Sequence, residues 1–114
     1  MTDVIERYLK AIAAHDWTTL ADTLTPDVVR TGPFFDVFEG SDNYLGFITK
    51  LMPTLPNYSM QVERVSYVDG GTRAYAELSE TLDVDGKPHT TPEVLTFDID
   101  DDRIARIDIY IKRK

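Results

Sequence analysis

The N-terminal part of the chain spaces its hydrophobic positions as helices do, and the C-terminal half spaces them as strands do. Val4, Ile5, Tyr8, Leu9, Ile12 and Ala13 form one apolar stripe, while Asp3, Glu6, Arg7 and Lys10 take the opposite face. Asp16 is placed to cap a second helix whose apolar positions are Trp17, Leu20, Ala21 and Leu24. Thr25-Pro26 stops it, because the residue before a proline is pushed out of the α region. A short strand from Val28 to Thr31 is expected to end at Gly32-Pro33. Phe34 to Phe38 is too aromatic for an ordinary solvated loop, and Glu39 to Asp42 turns the chain into a third helix with Ser41 as its expected cap. Tyr44, Phe47, Ile48, Leu51 and Met52 make the buried stripe of that helix, and Pro53 ends it.

From Tyr58 onward the turn signals Asp69-Gly70-Gly71, Asp85-Gly86 and Asp100-Asp101-Asp102 separate four strands, near 58–68, 72–84, 89–99 and 103–112. The order predicts one α+β domain over 1–114, with the helices on one side of an antiparallel sheet. Space left between the two layers is where a site is expected.

Strand parity selects the residues that face this space. Ala74, Ala76, Leu78, Leu82 and Val84 share a face with Glu80, and Leu95, Phe97 and Ile99 share one with Glu93, Thr91 and His89. A two-residue turn at Asp85-Gly86 pairs Leu82 with His89, Glu80 with Thr91 and Leu78 with Glu93, leaving Glu80 and Glu93 diagonal neighbours and Pro88 at a non-hydrogen-bonded position. A four-residue loop would instead set Glu80 opposite Glu93. Either way, two carboxylates within reach in an apolar setting cannot both ionise cheaply, so one is expected to keep a proton near neutral pH. The opposing reading turns this face to solvent or to a dimer partner, with Glu80 paired to an arginine such as Arg64. His89 lies toward the rim, either as a proton relay beside Glu80 or as a strand-end histidine in water.

Composition narrows the chemistry. With no cysteine, and only His15 and His89 as histidines, the chain offers no disulfide framework, thiolate nucleophile or multi-histidine metal centre. No metal or cofactor is expected. A formal net charge of −8 argues against nucleic-acid or anionic-membrane partners, and the basic ending Lys112-Arg113-Lys114 is too short to reverse it. The N-terminus lacks the basic start and long apolar core of a signal peptide, so a cytoplasmic location is expected.

Arg7-Tyr8-Leu9, the corner His15-Asp16-Trp17-x-x-Leu20, Pro26-Asp27-Val28-Val29, the Phe38-x-Gly40 turn and the ending Phe97-Asp98 to Arg103-Ile104 together resemble the nuclear transport factor 2-like superfamily, in its SnoaL-like and ketosteroid-isomerase-like branch. The resemblance implies a cone-shaped α+β barrel, a curved antiparallel sheet wrapped around three helices, enclosing a largely apolar pocket and often forming a homodimer. Tyr67, Tyr75 and Tyr110 are the expected outer-face contacts. The superfamily includes isomerases, cyclases, dehydratases and epoxide hydrolases, so the fold alone does not select a reaction.

By the same resemblance, Tyr8 falls at the tyrosine of the isomerase oxyanion hole and Glu93 at its protonated acid. The usual base, an aspartate before a proline, is replaced by Gly32, which leaves Asp36 or Glu80 as substitutes. Ile109 stands where an epoxide-hydrolase aspartate would align. Tyr8 also admits a plain core role, and Asp36 that of an exposed turn residue. The pocket wall is expected from Ile12, Trp17, Phe34, Phe35 and Phe38, then Met52, Leu55 and Met60, with Leu78, Leu95, Phe97, Ile107 and Ile109 from the sheet. The expected function is cofactor-independent acid–base chemistry (isomerase, cyclase or dehydratase) on a small apolar carbonyl compound, with a non-catalytic ligand-binding or dimerisation module as the alternative.

Overall fold

The structure, a computed structural model, describes residues 3–112, so Arg113 and Lys114 of the basic ending lie outside the described residues. Three helices, α1 (Val4–Ala14), α2 (Trp17–Asp22) and α3 (Ser41–Leu51), pack with six strands: β1 (Leu24–Thr31), β2 (Val37–Glu39), β3 (Ser59–Val68), β4 (Arg73–Val84), β5 (Lys87–Asp100) and β6 (Arg103–Ile111). The strands form one open sheet in the order β2-β1-β6-β5-β4-β3. The expected meander is present from β3 to β6, but the sheet is mixed rather than wholly antiparallel, because β1 joins it parallel to β6. That pairing joins opposite ends of the chain and has no local sequence signal.

The stripe on α1 is buried against the sheet, each large side chain contributing about 1.5–3 kcal/mol of transfer free energy. It differs from expectation at two residues: Ala11 is buried and Ala13 exposed. The first strand starts at Leu24 rather than Val28. Its register with β6 shifts between Leu24 and Val29, around Pro26, which has no N–H to give a ladder. The aromatic segment supplies the short strand β2, and the α3 cap position belongs to Gly40 at φ 87°, with Ser41 inside the helix and no capping side chain. Tyr67, expected on the outer face, pairs with Ala74 on the inner one and donates its hydroxyl to Glu6 of α1 at 2.6 Å.

The inner face of the sheet has two halves. At one end Ala74 and Ala76, both fully buried, let the layers close over Phe97, Ile104 and Ile107. At the other, Leu78 and Leu82 of β4, Leu95 of β5 and Ile109 and Ile111 of β6 line an open cavity. The β4–β5 register follows the two-residue turn, pairing Leu82 with His89, Glu80 with Thr91 and Leu78 with Glu93. Asp85 and Gly86 have φ of 53° and 78°, the positive values such a turn needs.

The two helix starts respond differently to truncation. Asp16 accepts from the backbone N–H of Thr19 at 3.2 Å and from its hydroxyl at 2.7 Å, so Asp16→Ala is expected to cost about 0.5–2 kcal/mol in urea denaturation. Ser41→Ala removes no cap and should stay within about 0.5 kcal/mol of wild type. Equal losses would contradict this assignment.

Candidate active site

Between the helices and the open half of the sheet lies a cavity of about 340 Å³. Its polar groups come from several elements of both layers. Tyr8 comes from the buried stripe of α1 and Tyr44 from that of α3, and their hydroxyls meet at 2.5 Å. Two phenols in one hydrogen bond use one hydrogen, so the other hydrogen of the pair is left for a ligand oxygen. Burial, first, and mutual contact raise the Tyr8 pKa well above the ordinary phenol value, and burial raises that of Tyr44, so both stay protonated at any physiological pH.

Glu80 of β4 and Glu93 of β5 project into the cavity from the sheet, diagonal across the ladder. The hydroxyl of Tyr58, just ahead of β3, donates to Glu80 Oε2. Glu93 is hydrogen-bonded to Glu80, and burial, this bond and the Glu80 charge push its pKa up to about 9 against the pull of Arg30. At neutral pH the two carboxyl groups therefore hold one proton between them, with Glu93 as donor and the Glu80 carboxylate as acceptor. Arg64, the alternative partner for Glu80, instead pairs with Glu77 at 2.7 Å on the outer face.

The other expected site residues divide clearly. Ile12, Phe34, Met52, Leu55, Met60, Leu78, Leu95 and Ile109 line the cavity. Phe97 and Ile107 do not; they are buried in the closed half of the core, Phe97 meeting the Tyr8 ring edge-on at 5.7 Å. Trp17 stacks on His15 outside the cavity, Phe38 stacks on Phe47 beside it, and Phe35 points outward, 87% exposed. His89 is exposed beyond the lining, because β4 and β5 extend past it, so a relay through His89 is not in place.

Asp36 is also outside the cavity. Its carboxylate accepts from Arg30 Nη1 at 2.8 Å and from Phe34 N–H at 3.3 Å. Partial burial pushes its pKa up, but its own backbone N–H, the Arg30 guanidinium and Phe34 hold it below the usual carboxylate range, which makes it a poor base. A Cβ on Gly32 would lie 2.3 Å from Asp36 Oδ1, so the carboxylate excludes any side chain at the position where the resemblance puts the base.

Tyr44, Tyr58 and Arg30 were not among the expected site residues. Tyr58 shares strand parity with Met60, and Arg30 shares it with inward Val28, so both had a sequence signal. Tyr44 had none beyond its place in a buried stripe, where a phenol needs a partner.

The SnoaL-like domain family matches residues 5–107. The chain belongs to the SnoaL-like family. No curated protein matches it by sequence. Among solved structures, the SnoaL-like chain is similar in fold to an LEH-like epoxide hydrolase from M. tuberculosis, at 19% identity and TM-score 0.82, over 96% of this chain and 80% of that one. It is similar to a candidate ketosteroid isomerase from Kribbella flavida, at 18% identity and TM-score 0.83, over 97% and 76%. It is also similar to a candidate polyketide cyclase from Xanthomonas campestris, at 23% identity and TM-score 0.81, over 96% and 87%. At these identities the likeness is one of fold, the nuclear transport factor 2-like α+β cone.

The shared proton has a consequence for stability. In the folded protein Glu93 keeps its proton up to about pH 9, whereas in the unfolded chain it ionises near pH ~4.3. Unfolding in this window releases a proton, so the stabilising contribution is complete below the lower value and is lost as pH rises through the upper one. Glu93→Gln cannot ionise and keeps a donor for Glu80. Its melting temperature relative to wild type should therefore climb steadily between about pH 5 and about pH 9 in thermal denaturation. A difference that stays flat across that range would contradict the shared proton.

Proposed function

We propose that this SnoaL-like protein is an acid–base enzyme acting on a small, mostly apolar carbonyl compound. The observation that carries the reading is the placement of Glu80 and Glu93 together on the wall of an apolar cavity, beside a phenol pair with a hydrogen to spare. The Glu80 carboxylate takes the proton from the carbon next to the carbonyl, and the C–H electron pair moves into the enolate. As Glu80 gains this proton it ceases to accept from Glu93, whose hydrogen turns to the developing oxyanion beside the hydrogen that the Tyr8–Tyr44 pair has to spare. The enolate then regains a proton at another carbon, adds to a second carbonyl, or expels a hydroxyl group protonated by Glu93. Isomerisation, cyclisation and dehydration share this first step.

Residues favour this chemistry over epoxide opening. Ile109 stands in the cavity wall where the resemblance aligned a catalytic aspartate, and neighbouring Asp108 pairs with Arg106 at 3.0 Å. The fold neighbours named for isomerase and cyclase chemistry agree with the reading, although fold does not select among them.

Protein-dependent exchange of α-hydrogens for deuterium, followed by NMR on a panel of cyclic and linear ketones in D₂O, tests the common step. Glu80→Gln should slow exchange by about 10²–10⁴-fold while ligand binding persists. Removing a hydroxyl donor with Tyr8→Phe or Tyr44→Phe should slow it by up to about 10²–10³-fold. Exchange unaffected by Glu80→Gln would contradict the proposal and favour a ligand-binding module.

A further inference from the structure

One group in the cavity is left unused by this chemistry. Among the described residues, Arg30 is the only lysine or arginine lining it, and its side chain is about nine-tenths buried. An inward arginine on a strand carries a desolvation cost that demands compensation. Part of the compensation is present: Nη1 donates to Asp36, and the rings of Phe47, Phe38 and Tyr44 lie 5.2, 5.9 and 5.9 Å from Cζ. The rest is missing. Nε, on the guanidinium edge away from Nη1, has no hydrogen-bond partner.

The two members of the ion pair also face different media. Asp36 is about two-fifths exposed, so water screens its charge, whereas the guanidinium stands at the wall of an apolar cavity where fields persist. Burial dominates the pKa of Tyr8, Tyr44 and Glu93 and raises it, but the Arg30 charge reaches all three and pulls each pKa back down. The cavity thus holds a cation, Arg30, as well as the Glu80–Glu93 pair.

We infer that Arg30 is the binding site for a carboxylate on the ligand, and that the cavity takes an apolar keto acid with its carboxylate at Arg30 and its carbonyl among Tyr8, Tyr44 and Glu93. The planar guanidinium edge matches two carboxylate oxygens. Nε is itself covered, so engagement requires the guanidinium to turn about its bond to Asp36. A dianion such as a phosphate ester fits poorly, because a single cation already shared with Asp36 would leave uncompensated charge in the same cavity as Glu80. The keto-acid class rests on the acid–base reading above; the carboxylate site stands on Arg30 alone.

Calorimetric titration of the full chain with 4-oxooctanoate and with its methyl ester tests the inference. Wild type should bind the acid at least about tenfold more tightly than the ester. Arg30→Met should abolish that preference. Asp36→Asn keeps an oxygen for Phe34 N–H but releases the Arg30 charge, so it should widen the preference; a purely structural ion pair would make both variants weaker for both ligands. Because Arg30→Met removes a buried group and can misfold, the gain in Asp36→Asn is the decisive arm. Equal binding of acid and ester by wild type, no binding of the acid, or a narrowed preference in Asp36→Asn overturns the carboxylate site. A preference for the acid without exchange of its α-hydrogens upholds the site and removes the acid–base reading, whereas exchange with no preference does the reverse.

Discussion

The register of a single hairpin decides what this cavity can do. The two-residue turn at Asp85-Gly86 fixes β4 against β5, and a one-residue slip would turn Glu80 or Glu93 out of the cavity. With the register as it is, both carboxyl groups face inward, half-buried between sheet and helices, and the cost of two neighbouring charges is met by Glu93 retaining a proton. Tyr58 closes one side of Glu80 by donating to its Oε2. The same strand pair explains the cavity itself, since Ala74 and Ala76 bring the layers together at one end and the longer residues beyond them do not.

Local patterns carried most of the fold. Alternation along β4 and β5, together with turn chemistry, placed the meander and the Glu80–Glu93 diagonal, because both depend on neighbours close in sequence. The parallel pairing of β1 with β6 depends on a contact between opposite ends of the chain, and no period in either strand announces it. Parity gave the side of the sheet but not the depth. His89 has the same parity as Glu93, yet it lies where the hairpin has run beyond its cover, and Phe97 and Ile107 have the inward parity of Leu95 and Ile109 but lie in the closed half.

The site residues that escaped the sequence did so for different reasons. A tyrosine in a helical stripe has the pattern of a phenylalanine, so the role of Tyr44 depends on where the Tyr8 hydroxyl arrives in three dimensions. Arg30 and Asp36 are six residues apart, and only the folded loop between them shows that Asp36 holds an arginine rather than serving as a base. That loop also accounts for Gly32: the carboxylate fills the place where a side chain would stand. Where the resemblance puts the base, the structure thus has an ion pair that presents a cation to the cavity.

The most direct measurement is a carboxyl-carbon NMR titration of the wild-type protein with the Glu80 and Glu93 resonances assigned. Glu93 is expected to titrate near pH 9. A Glu93 titration near the ordinary glutamate value of about 4.3 would contradict the protonated acid and remove the acid–base pair on which the proposed chemistry depends.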